Sequence, residues 1–232
     1  MITTSPSLRP IALVVLDLAG TTVADVGLTE IAFTSALRAQ DVGSGSAQLD
    51  DMLRHVRATM GAPVLSVLRY LFDGDDIRAH AGLKSFDERY AEFADAGQIV
   101  AMPGAAYAIG LLRESGIKVA LTTGFSAATQ QCILDALGWQ DVADIALRAD
   151  DDTLPNPAIA AAEAFDIDDR SLVATVGDTA YDIDCGRQAG AKFVAGVLTG
   201  AHSGERLQAA GASHLLQAAM SLPEFITPAG RS

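Results

Sequence analysis

Three short stretches of the 232-residue chain carry side chains suited to chemistry at phosphorus. In Leu16-Asp17-Leu18-Ala19-Gly20-Thr21-Thr22 an apolar run ends on an aspartate and a glycine turn. In Lys118-Val-Ala-Leu-Thr122-Thr123-Gly124 a second run ends on hydroxyls, and in Val176-Gly177-Asp178-Thr179 a third ends on another aspartate, with Asp182 four residues further on. Carboxylate oxygens are hard ligands suited to Mg²⁺, which is commonly held by one or two carboxylates, waters and a substrate phosphate. An aspartate on a tight Gly-containing turn is also a candidate nucleophile at phosphorus, giving an aspartyl-phosphate that water hydrolyses. Thr123 and the amides around Gly124 can hold phosphate oxygens near a helix start. Taken singly, each residue has an ordinary reading: Asp17 as a turn residue, Asp178 as an N-cap, Asp182 as a solvated helix carboxylate. Their recurrence after three separate strands is what points to a site.

The elements that must position these residues are legible in the hydrophobic pattern. Ile11–Leu16, Lys118–Thr122, Asp144–Leu147, Leu172–Val176 and Lys192–Val197 are short apolar runs without alternation, as expected of parallel strands covered on both faces. Between them lie helical stretches at Gly104–Ser115, Ser126–Leu137 and Ala180–Ala189, each followed by glycine. Strand and helix in alternation predict a doubly wound, Rossmann-like α/β fold, whose ligands sit beyond the carboxyl ends of the strands. From about Leu28 to Gly97 no strand-like run appears. Leu28–Ala39, Leu49–Met60 and Val64–Phe72 read as helices, and Ser85-Phe-Asp-Glu88 has the spacing of a capping box that opens one more. The expectation is a core domain of residues 1–22 and 101–232 and a helical domain of residues 23–100, joined at Val23–Gly27 and Val100–Gly104.

Composition narrows the partners. The chain has 29 acidic against 16 basic residues, a net charge of −13, and is 50% hydrophobic, which argues for a packed interior and against a polyanion-binding surface. Nucleic acid and membrane are therefore not expected as partners. Cys132 and Cys185 cannot form a disulfide framework, the Met1–Arg9 segment lacks a secretory pattern, and the Ile11–Leu16 run is too short to span a bilayer. A cytoplasmic location is the expectation.

With these residues in place, the chain resembles the haloacid dehalogenase superfamily, and within it the phosphonatase-like branch. Asp17–Thr22 is similar to the first motif in its phosphonatase form, with Ala19 where most relatives have a second aspartate. Leu121–Gly124 is similar to the second motif, Gly177–Asp182 to the fourth, and the helical insert has the position of a type C1 cap. The resemblance implies that Asp17 attacks phosphorus and binds Mg²⁺ with Asp178 and the Ala19 carbonyl, while Asp182 supports the metal site. It implies that Ala19, Gly20, Thr123 and Gly124 contact a small phosphate or phosphonate substrate, with Thr123 also in the catalytic set, and that the chain can form a homodimer.

Two positions depart from that pattern. Relatives carry Arg or Lys after the third strand; the matching stretch here is Leu154-Pro155-Asn156-Pro157, which puts Asn156 in the catalytic set as an uncharged donor. A charged donor is worth about twice a neutral one. In the insert, Met60-Gly61-Ala62-Pro63-Val64 places valine where phosphonatases have the lysine that forms an imine. Lys118 and Lys192 begin strands, Lys84 lies outside the matching motif, and Arg148 and Arg187 are the remaining candidate cations. The expected activity is Mg²⁺-dependent hydrolysis of a small phosphorylated or phosphonylated metabolite through Asp17. A phosphate-binding or regulatory protein on the same fold is the alternative, and a metal-free dehalogenase is disfavoured by the Asp178–Asp182 pair.

Overall fold

The computed structural model describes residues 11–43, 47–148 and 156–226. Its centre is a six-stranded, wholly parallel sheet made of β1 (Leu13–Asp17), β2 (Lys118–Thr122), β3 (Ile145–Ala146), β4 (Val173–Gly177), β5 (Phe193–Val197) and β6 (His214–Leu216). The strand order is β3-β2-β1-β4-β5-β6, so β1 is central and the order reverses beside it. Alternate residues of β1 serve opposite faces. Val14 and Leu16 join one apolar cluster, and Leu13 and Val15 join another. That double burial is why the strand sequences do not alternate polar with apolar.

Helices cover both faces. α5 (Ala105–Glu114) contributes Ile109 and Leu112 to the first cluster, and α7 (Pro157–Ala164) contributes Ala158, Ala161 and Ala162 to the second. α6 (Ala127–Leu137) follows β2, with Ser126 as its N-cap accepting from the Thr129 amide and Gly138 left-handed at its end. α8 (Ala180–Gln188) follows β4, and α9 (Gly204–Ala210) and α10 (Leu222–Ile226) lie near the C-terminus.

The insert between β1 and β2 is helical: α1 (Leu28–Arg38), α2 (Ala47–Ala58), α3 (Val64–Leu71) and α4 (Asp76–Asp95). One expectation fails here. α4 does not open at Ser85 but at Asp76, where Asp75 caps it by accepting from the Arg78 amide. Ser85 lies mid-helix, its hydroxyl donating to the Ala81 carbonyl. The Ser-x-x-Glu spacing fits a helix interior equally well, and the stripe Ala79, Phe86, Tyr90, Phe93 gains its burial from one continuous helix. Two further differences concern the sheet edges. The Asp144–Leu147 run shortens to a two-residue β3, and β6 falls in a segment without a strand-like run. Both are edge strands, and too short for a hydrophobic run to announce them.

The connections into the insert pair with each other. The Ala24 amide donates to the Val100 carbonyl at 2.8 Å and the Met102 amide to the Thr22 carbonyl at 2.9 Å, fixing the two crossings side by side. The insert then lies back over β2. Phe86 and Tyr90 of α4 pack on Phe125, which follows Gly124, with ring centroids 5.7 and 4.9 Å apart.

Candidate active site

Asp17 ends β1 in register with Thr122 of β2, and Gly177 ends β4 on the other side. The next residues of each strand therefore emerge together at one edge of the sheet. Oxygens of Asp17, Asp178 and Asp182 lie within 4.8 Å of one another, so the geometry unites the three carboxylates singled out in the sequence. Asp178 and Asp182 are locally held. Thr21 Oγ1 donates to Asp178 at 3.1 Å and the Ala201 amide donates to its other oxygen at 2.6 Å. Asp182 accepts from the Thr179 amide at 3.0 Å and the Thr179 hydroxyl at 2.5 Å, as the N3 residue of a capping box that starts α8. Gly20 has φ 86° and leaves no room for a Cβ, which would stand 2.5 Å from the Asp178 carboxylate. Glycine at this turn is a steric requirement for bringing the first and fourth motifs together.

Burial and mutual repulsion dominate the electrostatics. Desolvation, then Asp182 and Asp178, hold the Asp17 carboxyl well above the ordinary aspartate range. Desolvation pushes Asp178 up to about 6, and desolvation with Asp178 pushes Asp182 up to about 7. A cation among carboxylates crowded in this way favours their ionised forms. Among the described residues no Lys or Arg lines either cavity at this edge. Lys84 pairs with Glu88, Arg187 with Asp184, and Arg148 is exposed. The residues outside the described set include no Lys or Arg except Arg9 and Arg231, so the 149–155 stretch beside Asn156 brings no positive charge.

Such a donor set of hard, close, electron-rich oxygens suits a divalent cation. The family match supplies the name. The chain belongs to the haloacid dehalogenase-like hydrolase family, whose pattern it matches over residues 11–190. The hydrolase is 30% identical over 206 residues to the probable phosphatase IndB of Dickeya dadantii, covering 85% of this chain and 86% of that protein. It is 31% identical over 206 residues to a phosphonoacetaldehyde hydrolase of Syntrophobacter fumaroxidans, covering 80% and 72%. Among solved structures, a hydrolase from Pseudomonas syringae superposes with a TM-score of 0.77 at 22% identity, covering 92% of this chain and 96% of that one. A phosphonoacetaldehyde hydrolase-like protein from Oleispira antarctica superposes with a TM-score of 0.71, also at 22% identity, covering 98% and 95%. These superpositions establish the shared fold.

The remaining residues of this hydrolase sort by what they touch. Thr123 and Gly124 line the cavities with Asp17; Thr123 Oγ1 accepts from the Phe125 amide at 3.2 Å, and the Gly124 carbonyl accepts from the Val64 amide at 2.9 Å. Ala19, Asp178 and Val64 line one of the two cavities. Asn156 lines neither cavity among the described residues. Its Oδ1 accepts from the Ala158 and Ile159 amides at 3.0 and 3.1 Å, and its Nδ2 donates to the Cys185 carbonyl at 3.0 Å. The amide thus caps α7 and ties it to α8. Sequence reasoning misses Thr21, Thr179 and the Ala201 amide. The Thr179-x-x-Asp182 spacing could reveal one of them, whereas a backbone amide from a distant loop leaves no sequence signal.

Proposed function

We propose that this hydrolase cleaves a small phosphorylated or phosphonylated metabolite through an aspartyl-phosphate on Asp17, with Mg²⁺. The observation that carries the reading is the convergence of Asp17, Asp178 and Asp182 within 4.8 Å at the carboxyl end of the central strands. Asp17, Asp178 and the Ala19 carbonyl would hold the ion, with Asp182 braced behind them by Thr179. When bound, Mg²⁺ supplies charge neutralisation that makes ionised carboxylates compatible with a phosphate and lets Asp17 act as a nucleophile. Thr123 and the amides near Gly124 orient phosphate oxygens, and the insert acts as a cap that excludes water from the cavity lined by Met60, Gly61 and Val64. With a phosphate ester, a carboxylate oxygen of Asp17 would bond to phosphorus as the P–O bond to the leaving group breaks, the alkoxide taking a proton from the substrate's own acid or from water; water would then attack phosphorus, break its bond to Asp17 and release inorganic phosphate.

Ala19 offers no proton, so substrates with good leaving groups, or those bearing their own acid, suit the site best. Val64 holds no amine, which argues against phosphonoacetaldehyde as the substrate. The test is phosphate release from a panel of phosphomonoesters with Mg²⁺. Asp17→Asn should lower it by at least about 10³-fold, and excess chelator should abolish it.

A second reading, phosphate binding with little turnover, draws on the lack of any Lys or Arg lining the described cavities and on Ala19 standing where most relatives have a second aspartate. Tight phosphate binding by the Mg²⁺-loaded protein without release from any ester would favour it.

A further inference from the structure

The end of α2 is closed from outside the insert. A helix leaves its last four carbonyls without intrahelical partners. Two of these are met locally, the Thr59 amide donating to the His55 and Val56 carbonyls at 3.0 and 3.2 Å. The next two are met from the far side of the sheet edge. Arg206 of α9 donates through Nη2 to the Ala58 carbonyl at 2.6 Å, and His202 Nε2 lies 3.4 Å from the Arg57 carbonyl. The tautomer of His202 follows from its other nitrogen. The Ala180 amide donates to Nδ1 at 2.8 Å, which leaves the ring proton on Nε2 as the donor toward Arg57. A guanidinium at a helix C-terminus also suits the helix dipole.

The segment that carries these two side chains also holds the site. Thr199 Oγ1 donates to the Gly20 carbonyl at 2.7 Å, the Ala201 amide to the Asp178 carboxylate at 2.6 Å, and the His202 amide to the Asp178 carbonyl at 3.2 Å. On the insert side, residues 59–62 follow directly from α2 and line the cavity that Asp17 shares with Val64. They sit close over the strand ends: a Cβ on Gly124 would lie 2.7 Å from both the Gly61 and the Ala62 carbonyl. One stretch, residues 199–206, therefore grips Asp178 with one hand and the root of the cavity wall with the other. We propose that His202 and Arg206 are positioning residues, fixing the end of α2 so that residues 59–62 are held over Asp17 in step with Asp178. Neither side chain touches the reacting atoms; both act through the wall. The effect on rate rests on the hydrolytic reading, whereas the clamp itself is measurable without turnover.

Hydrogen exchange of the Mg²⁺-loaded protein reads the wall through the Ala62 and Val64 amides, which donate to the Thr59 and Gly124 carbonyls. In Arg206→Ala these two amides should exchange about tenfold faster while those of β1 and β4 keep their rates, the scale of one lost charge-assisted hydrogen bond. His202→Asn keeps an acceptor for the Ala180 amide but falls short of Arg57, and should act in the same direction. Arg206→Lys keeps a donor and should retain most of the protection. On one phosphomonoester, kcat/KM should fall about tenfold in Arg206→Ala and His202→Asn, and by less than about threefold in Arg206→Lys. Unchanged exchange at Ala62 and Val64, or a rise shared equally by β1 and β4, overturns the clamp. Faster local exchange with full kcat/KM also overturns it, because the contact would then tie the insert down without positioning the site. If the unsubstituted protein releases phosphate from no ester, the hydrolytic reading falls, and the exchange rates alone decide the clamp.

Discussion

At the residue scale the molecule is organised around unfavourable charge. A free aspartate titrates near 3.9, yet burial lifts Asp178 to about 6, and burial with the Asp178 charge lifts Asp182 to about 7. Between pH ~4 and ~7 the folded metal-free chain keeps protons that the unfolded chain has already released, so stability falls as pH rises through that window. Below it both states are protonated and this contribution is fully present; above it the contribution is lost. Moving one carboxyl's titration by a single pH unit is worth about 1.4 kcal/mol, so the loss is on the order of a few kcal/mol. A bound divalent cation favours the ionised forms and cancels the slope. The rise in melting temperature on adding Mg²⁺ should therefore be larger near pH 7.5 than near pH 5. Melts in chelator and in saturating Mg²⁺ at both values check this, and equal rises would contradict it.

At the scale of elements, α7 shows how local chemistry fixes a wall of the site. Pro157 pre-sets the first helical turn, and Asn156 satisfies two of its amides while reaching across to α8. Asn156→Ala removes the cap and the tie to α8, leaving the Cys185 carbonyl with its bond from the Ala189 amide alone, at a cost of about 1–2 kcal/mol. Denaturant unfolding should show that loss as a lower midpoint with an unchanged slope. Asn156 also marks the limit of what a sequence can reveal. Its place in the chain suggests a stand-in for a cation on the phosphate, but only three-dimensional placement shows that its amide is engaged elsewhere. Asp17, Asp178 and Asp182 are legible because they follow the ends of apolar runs, so that their meeting follows from parallel topology alone. The start of α4 is not, because Ser85–Glu88 satisfies both a helix beginning and a helix middle, and only the packing of Ala79 and Phe86 selects the latter. β6 escapes for a related reason: a three-residue edge strand carries too little apolar pattern to be seen.

For the whole molecule, the proposed function makes the seating of the insert on the sheet edge a testable requirement. Phe125 joins the aromatic cluster of α4, and Asp87 accepts from Ser126 and Thr129 hydroxyls at 2.6 and 2.7 Å, tying α4 to the start of α6. Beside these contacts, Gly61 of the insert meets α8's N-cap. Its φ is 92°, and a Cβ there would lie 2.3 Å from Thr179 Oγ1, the group that braces Asp182. Gly61→Ala therefore strains the backbone and also pushes the insert off the core. The backbone share is separable, because Gly97 likewise has positive φ (66°) but open space around it. Gly97→Ala should cost about 1–2 kcal/mol in stability through conformation alone. Gly61→Ala should add to a similar cost a loss of about 10²-fold in kcat/KM, the scale of a misplacement near 1 Å in a catalytic site. Steady-state kinetics of both variants on one ester, at a temperature where both are folded, make the comparison. If the two lose activity equally, the seating of the insert does not govern turnover. If only Gly61→Ala loses it, the contact between insert and core is what completes the site.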